Sequence, residues 1–268
     1  MSQAFSATAI RRAVLSMAHA GATVHIACAF SLVEILAVLY RHHLRYPDND
    51  PNGPLRDYLV LSKGHGVMAQ YACLREKGWI AQEALDRYFG DGTPLKGLSD
   101  AHVPGCEVTA GSLGHGLPVG VGMALAARLA GTGQMCYAIV GDGEMNEGSM
   151  WEALLFAAHR RLDNLVVIVD ENGFQAMGRT ADVMGLGSLR AKFAAFGFEA
   201  VDVDGHDEAA LDAALSAVRA NRDGRPKALV ARTVKGKGVS FMEDDNRWHY
   251  TRLNPDTYAA AMAELEQA

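Results

Sequence analysis

The sequence predicts an α/β fold, doubly wound, with a mainly parallel sheet and helices on both of its faces. Three observations lead there. Short β-branched runs alternate with longer stretches of helical periodicity. The runs carry almost no polar alternation, as strands buried on both faces of a parallel sheet require. Polar, glycine-bearing turns follow the carboxyl ends of two of them, where open α/β sheets bind ligands.

Taken in order, a helical pattern over 7–20 is followed by a second over 31–45 and then by the first clear strand, DYLVLS (57–62). Helical patterns over 66–77 and 114–131 precede the strand CYAIV (136–140). A helix over 147–161 leads to NLVVIV (164–169), and EAVDV (199–203), a helix over 207–220 and ALVART (228–233) continue the alternation. A final helix is expected over 255–266. The first hundred residues are helix-rich with one clear strand. No repeat, low-complexity tract or Pro/Ser-rich linker interrupts the chain, so residues 1–268 are expected to form a single domain.

Composition narrows the function. Apolar residues make up 49% and charged residues 21%, the balance of an ordinary globular protein. A formal charge of −6 argues against a broad nucleic-acid surface, which needs clustered Lys and Arg. Cys28, Cys73, Cys106 and Cys136 lack metal-ligand spacing and are expected to be buried, reduced thiols. Arg11 and Arg12 before AVLSMAHAGATVHIACAF imitate a signal peptide, but His19 and His25 interrupt the run and SLVEILAVLY follows at once. No segment reaches the ~18 uninterrupted apolar residues of a membrane helix, so a cytoplasmic protein with no membrane or nucleic-acid partner is expected.

The stretch IVGDGEMNEGSMWEALLFAAHRRLDNLVVIVDENGF puts Asp142 just past one strand and Asn172 just past the next, one strand-helix-strand crossover later. Neighbouring strands lie about 4.8 Å apart, so the two turns can reach a common ion. One carboxylate and one amide oxygen form a hard donor set suited to Mg²⁺ or Ca²⁺, and Mg²⁺ normally shares its shell with phosphates and water. Gly141 and Gly143 let backbone N–H groups approach an anion, and a helix starting near Asn146 turns its positive end toward it. The glycine spacing is wrong for a dinucleotide fingerprint, and no Gly-Lys-Ser/Thr completes a P-loop. Either turn alone would pass as structural; the pair favours a metal with a diphosphate.

These residues resemble the motif of thiamine-diphosphate enzymes, which opens Gly-Asp-Gly and closes near an Asn about thirty residues on. LSKGHG (61–66), VTAGSLGHGLPVGVGMALA (108–126), GDGEMNEGSMWEA (141–153), FSLVEILAVLY (30–40) and VKGKGVSFME (234–243) resemble segments of the N-terminal half of transketolases. The resemblance implies the thiamine-diphosphate-binding fold, with thiamine diphosphate and Mg²⁺ (Ca²⁺ as the alternative) as cofactors. It implies that Asp142, the Asn172 side chain and the Phe174 carbonyl bind the metal. His65 would contact the diphosphate, Gly143 would offer an N–H, and Gly111, Ser112, Leu113 and Gly114 would run beside the cofactor, with Gly141 and Glu144 in the metal motif. Glu147 matches an acidic residue linking paired active sites, or compensates a helix dipole. His25 matches a substrate-contacting histidine, and His249 in NRWHY a second. Lys63 has no further pyridoxal-phosphate feature around it; Lys235 and Lys237 read as solvated loop charges, with a place at the site mouth as the lesser alternative, and His115 as structural.

Two positions depart from the family. His25 sits in VHIAC without the usual glycines, and Leu98 in LKGLS occupies the place of a substrate-contacting His, with His102 nearby to stand in. The resemblance further implies that the pyrimidine-binding and C-terminal domains, with the activating Glu, lie on a partner chain. This chain would then be the N-terminal subunit of a split transketolase, inactive alone and assembled as a heterotetramer. It would transfer a two-carbon ketol unit between sugar phosphates through a thiamine-bound intermediate. Alternatives are a specialised acceptor, the alpha chain of a 2-oxo acid dehydrogenase, a deoxyxylulose phosphate synthase fragment, and a non-catalytic cofactor-binding subunit.

Overall fold

Strands that are apolar on both sides need cover on both faces, and the chain supplies it. The computed structural model describes residues 4–21 and 23–267. Its strands are β1 (Tyr58–Leu61), β2 (Cys136–Gly141), β3 (Leu165–Glu171), β4 (Phe174–Gln175), β5 (Gly178–Arg179), β6 (Glu199–Asp204) and β7 (Lys227–Arg232). Five of them form one parallel sheet in the order β1-β2-β3-β7-β6, and β4 and β5 form a separate antiparallel hairpin. All five strands of the main sheet were predicted.

The helices are α1 (Ala7–Ala20), α2 (Ile26–Phe30), α3 (Val33–Val38), α4 (Val67–Glu76), α5 (Gln82–Asp86), α6 (Gly116–Ala130), α7 (Gly148–His159), α8 (Thr180–Met184), α9 (Leu189–Ala195), α10 (Glu208–Ala220) and α11 (Pro255–Gln267). Alternate strand residues face opposite ways. Leu59, Leu61, Tyr137, Ile139, Val166, Ile168 and Leu229 join the core under α1 to α4, α10 and α11. Val60, Ala138, Val140, Val167, Val169 and Val230 join the core under α6, α7 and α9. Each large side chain among these, taken from water, stabilises the fold by roughly 1.5–3 kcal/mol, so the sheet is the rigid element on which the loops stand. Among the described residues no helix is long and apolar enough to cross a membrane.

Several boundaries differ from expectation for local reasons. The helical pattern over 31–45 is divided into α3 and a π-helical turn (Leu39–His43), with α2 ahead of it. Helix α2 is set off from α3 where the Ser31 hydroxyl bonds back to the Cys28 carbonyl and to Asp170, offering the backbone an alternative to helix. Helix α6 starts at Gly116 rather than 114 because Gly114 has a φ of +83°, a left-handed conformation open to glycine. Helix α10 starts where Asp207 caps the N–H groups of Ala209 and Ala210. The short elements α5, α8, α9 and the β4–β5 hairpin carry too few residues for a periodic signal.

Ile168 is fully buried in the central strand. Ile168→Ala is expected to lower unfolding free energy by about 2–5 kcal/mol in urea denaturation, through lost burial and the cavity left behind.

Candidate functional site

Gly141, the last residue of β2, pairs with Asp170 of β3, so the turns beginning at Asp142 and Asn172 leave adjacent strands side by side. Asp142 Oδ1 accepts the Gly143 N–H at 2.8 Å, while Oδ2 accepts the Gly173 N–H at 2.9 Å and the Thr180 hydroxyl at 3.0 Å. Asn172 Oδ1 accepts the Phe174 N–H at 3.0 Å, and its amide donates to Asp170 at 2.9 Å. Asp142 Oδ1 and Asn172 Oδ1 thus each accept one hydrogen bond among the described residues and keep a lone pair that a cation could use. Burial, reinforced by the nearby Asp170 carboxylate, pushes the Asp142 pKa up to about 6. A bound cation would offset that cost.

These turns open onto a cavity of about 630 Å³, in the size range of small-molecule sites. Gly111, Leu113, Gly141, Asp142, Gly143, Glu144, Asn172 and Phe174 all line it, as do His25, His65 and His249. Asn146 Oδ1 and Gln175 Nε2 are buried there without a hydrogen-bond partner among the described residues, as expected of groups that meet a polar ligand. No cluster of three His, Cys, Asp or Glu side chains among the described residues could enclose a metal. An ion at Asp142 would therefore draw on Asn172, a main-chain carbonyl and a bound anion or water, the mixed shell that Mg²⁺ prefers. The donor set fits a divalent cation carrying a diphosphate.

The LSKGHG and TAGSLG segments are pressed together beneath the cavity. A Cβ on Gly64 would collide with the Ala110 carbonyl, so that position needs glycine. Glu144 fastens the arrangement: its carboxylate accepts from the Ser62 hydroxyl at 2.6 Å, the Gly114 N–H at 2.9 Å and the Gly141 N–H at 3.2 Å. Although Glu144 borders the cavity, these contacts make it a brace between segments. Ser112 and Gly114 are not lining residues; Gly114 is held by Glu144 and accepts from the Ser149 hydroxyl at 2.7 Å. Glu147 is exposed at the cavity rim and precedes α7 without a side-chain cap.

Three imidazoles meet on the opposite wall. The His25 ring centroid lies 5.1 Å from that of His65 and 5.2 Å from that of His249. Burial, then the Lys63 and Lys235 charges, lowers the His25 pKa to about 4, and burial with Lys235 lowers His249 to about 3. His65 is driven down by burial, Lys63 and His25. All three rings are neutral at pH 7. Lys235 donates to His249 Nδ1 at 2.8 Å, which leaves the His249 ring proton on Nε2. His102 is not brought to this wall: its side chain is 91% exposed and bonds Asp100 at 2.7 Å. It does not fill the place of Leu98, which lines the cavity.

The structure corrects the reading of the lysines and adds residues missed in the sequence. Lys235 is buried, not solvated, and bonds Asn246 as well as His249. Lys237 is half-buried and lies 3.5 Å from Glu243. Lys63 is buried against Asp170, which also accepts from Ser31, Thr233 and Asn172. Burial alone would push Asp170 up, yet Lys63 and these donors hold it below the usual carboxylate range. All four cysteines are free and buried, as expected, and Cys28 in addition lines the cavity with its sulfur 3.5 Å from His249 Nδ1. The signal for Asp170 was its place two residues before Asn172 at the end of an otherwise apolar strand.

Lys63→Met would leave Asp170 buried without its counter-charge. It is expected to cost about 3–5 kcal/mol of stability in chemical denaturation, far more than the loss of an exposed ion pair.

Comparison with known proteins is consistent with this geometry. Residues 2–266 match the family described as transketolase, thiamine diphosphate binding domain. One relative is a subunit of the apulose-4-phosphate transketolase of Actinobacillus succinogenes, 40% identical over 97% of this chain and 94% of the relative's length. A second is a 6-deoxy-6-sulfo-D-fructose transketolase subunit of Clostridium sp., 41% identical over 91% of this chain and 88% of the relative's length. The solved transketolase of Leishmania mexicana superposes with a TM-score of 0.92 at 31% identity, covering 99% of this chain and 42% of that longer one. The chain belongs to the transketolase family, in which it corresponds to the thiamine diphosphate-binding domain.

Proposed function

We propose that residues 1–268 act as one diphosphate-binding unit, the N-terminal subunit of a two-chain transketolase that transfers a two-carbon ketol unit from a ketose donor to an aldehyde acceptor. The observation that carries this reading is the pairing of Asp142 and Asn172 at adjacent strand ends, facing three neutral histidines across one cavity. Asp142, Asn172 and the Phe174 carbonyl would hold Mg²⁺, with Ca²⁺ as the alternative. Gly143 and His65 would contact the diphosphate, and Gly111 and Leu113 would lie along the cofactor. When bound, thiamine diphosphate supplies the carbon nucleophile that carries the two-carbon unit.

The chain's own residues orient and exclude. Neutral His25 and His249 can donate or accept a hydrogen bond to substrate oxygens without presenting a charge. Lys235 holds the His249 ring in one tautomer. The partner would carry the pyrimidine-binding domain and the activating Glu, and two copies of each chain would form a heterotetramer with sites at the interfaces. Support comes from the extent of the match to relatives named as subunits. The four free, buried thiols support a cytoplasmic setting. The family match favours transketolase over the 2-oxo acid dehydrogenase and deoxyxylulose phosphate synthase readings.

The test is an assay of ketol transfer from a ketose phosphate with thiamine diphosphate and Mg²⁺, on the chain alone and with the protein encoded beside it. Activity is expected only in the mixture, and Asp142→Ala should lower it more than ~100-fold, since even residues that merely orient a metal's ligands cost about 10–100-fold. Activity of the chain alone would overturn the two-chain reading. Cofactor binding without turnover in the mixture would favour the non-catalytic alternative.

A further inference from the structure

Beside the cofactor cavity lies a second pocket of about 390 Å³ that shares two of its walls, His25 and Leu98. Its other walls are Thr23, Val24, Phe89, Tyr250 and the Lys96–Gly97 segment. Phe89, Leu98 and Tyr250 are 40%, 42% and 56% exposed, three large apolar side chains, two from the loop after α5 and one from the stretch before α11, gathered on one opening. The Tyr250 ring stands 4.6 Å from the His25 ring, which in turn meets His65, so the pocket leads from the histidine wall outward.

The pocket is also held in place. Phe89 has a φ of +60°, a backbone conformation that bulky L-residues rarely adopt, and its N–H donates to the Leu95 carbonyl at 3.1 Å. Such strain persists where the surroundings fix it, often at ligand clamps. Leu98 is tied down by the Tyr71 hydroxyl, which donates to its carbonyl at 3.3 Å. A polyhydroxylated chain would lose hydrogen bonds to water on entering walls of this kind and find few partners. An alkyl chain would gain from the same walls. Lys96 is exposed at the rim and makes no ion pair among the described residues, so an anionic far end is accommodated there.

We propose that this pocket is the acceptor channel and that Leu98, with Phe89 and Tyr250, selects an aldehyde whose carbon chain is poor in hydroxyls. This rests on the transketolase reading above and names the substrate class for the same site. In the transfer the donor's C2–C3 bond breaks and its C1–C2 fragment forms a new C–C bond to the acceptor's carbonyl carbon. The acceptor oxygen takes up a proton, the donor's C3 hydroxyl gives one up, and no oxidant or reductant is consumed.

The test uses the chain with its partner subunit, thiamine diphosphate and Mg²⁺. Release of the donor's aldehyde fragment from D-fructose 6-phosphate is measured first, without acceptor. Then kcat/KM is compared for butanal, 4-oxobutanoate and D-erythrose, three four-carbon acceptors that differ mainly in hydroxyls and charge. The expected result is at least a tenfold preference for butanal and 4-oxobutanoate over D-erythrose, within the range that apolar pockets achieve. Leu98→Ser and Phe89→Ser should each shrink that ratio several-fold, a readout in which general damage to the enzyme cancels. Donor cleavage with a preference for D-erythrose, or a ratio unmoved by both substitutions, overturns the acceptor proposal alone. Loss of the partner from Leu98→Ser or Phe89→Ser on size-exclusion, with the ratio unmoved in what remains assembled, assigns the apolar patch to the interface between the two chains and overturns it too. No donor cleavage by the assembled, cofactor-loaded protein overturns the transketolase reading together with it.

Discussion

The buried ion pair between Lys63 and Asp170 is the contact on which the site's geometry depends. Lys63 follows β1 and Asp170 lies in β3, with β2 between them, so the pair reaches across the carboxyl ends of three strands. Asp170 also gathers the Ser31 hydroxyl ahead of α3, the Thr233 hydroxyl after β7 and the Asn172 amide. Burying two charges is expensive, and the cost is met only because the carboxylate is so fully engaged. What the pair secures is position: Asn172 is oriented through its amide, and the LSKGHG turn is anchored against the sheet beneath the histidines.

The same charges set the chemistry of the opposite wall. Lys63 and Lys235 stand close enough to His25, His65 and His249 to add to the effect of burial and keep all three rings neutral. On the other side, Asp142 is buried near a second carboxylate and has lone pairs left over. The cavity therefore combines a wall that disfavours extra positive charge on its imidazoles with a floor that gains from a cation. An anionic group bridging the two, such as a metal-bound diphosphate, satisfies both conditions.

The sheet was legible because its strands are buried on both faces and so read as unbroken apolar runs, each flanked by helical periodicity. The side-by-side placement of Asp142 and Asn172 was legible for a related reason: they stand out as polar side chains in the turns just past strands otherwise nearly free of them. The Lys63–Asp170 pair was not, because nothing local in SKG or VDE marks a contact between residues 107 apart. Lys235 looked solvated because it sits among glycines and another lysine, and only the fold brings Asn246 and His249 to it. The separation of α2 from α3 was hidden too, since it falls at Ser31, whose side chain turns to a distant carboxylate. Phe89 and Leu98 lie in the loop after α5 and Tyr250 far along the chain before α11, and their grouping exists only in three dimensions.

The proposed divalent-cation site is built within this chain by the crossover from β2 through α7 to β3. Crystals grown with thiamine diphosphate and Mn²⁺ in place of Mg²⁺ would test it through the anomalous signal of the metal. A single strong peak is expected about 2 Å from Asp142 Oδ1 and Asn172 Oδ1, a normal metal–oxygen distance for this class of ion. A peak at other residues, or none at saturating metal and cofactor, would contradict it.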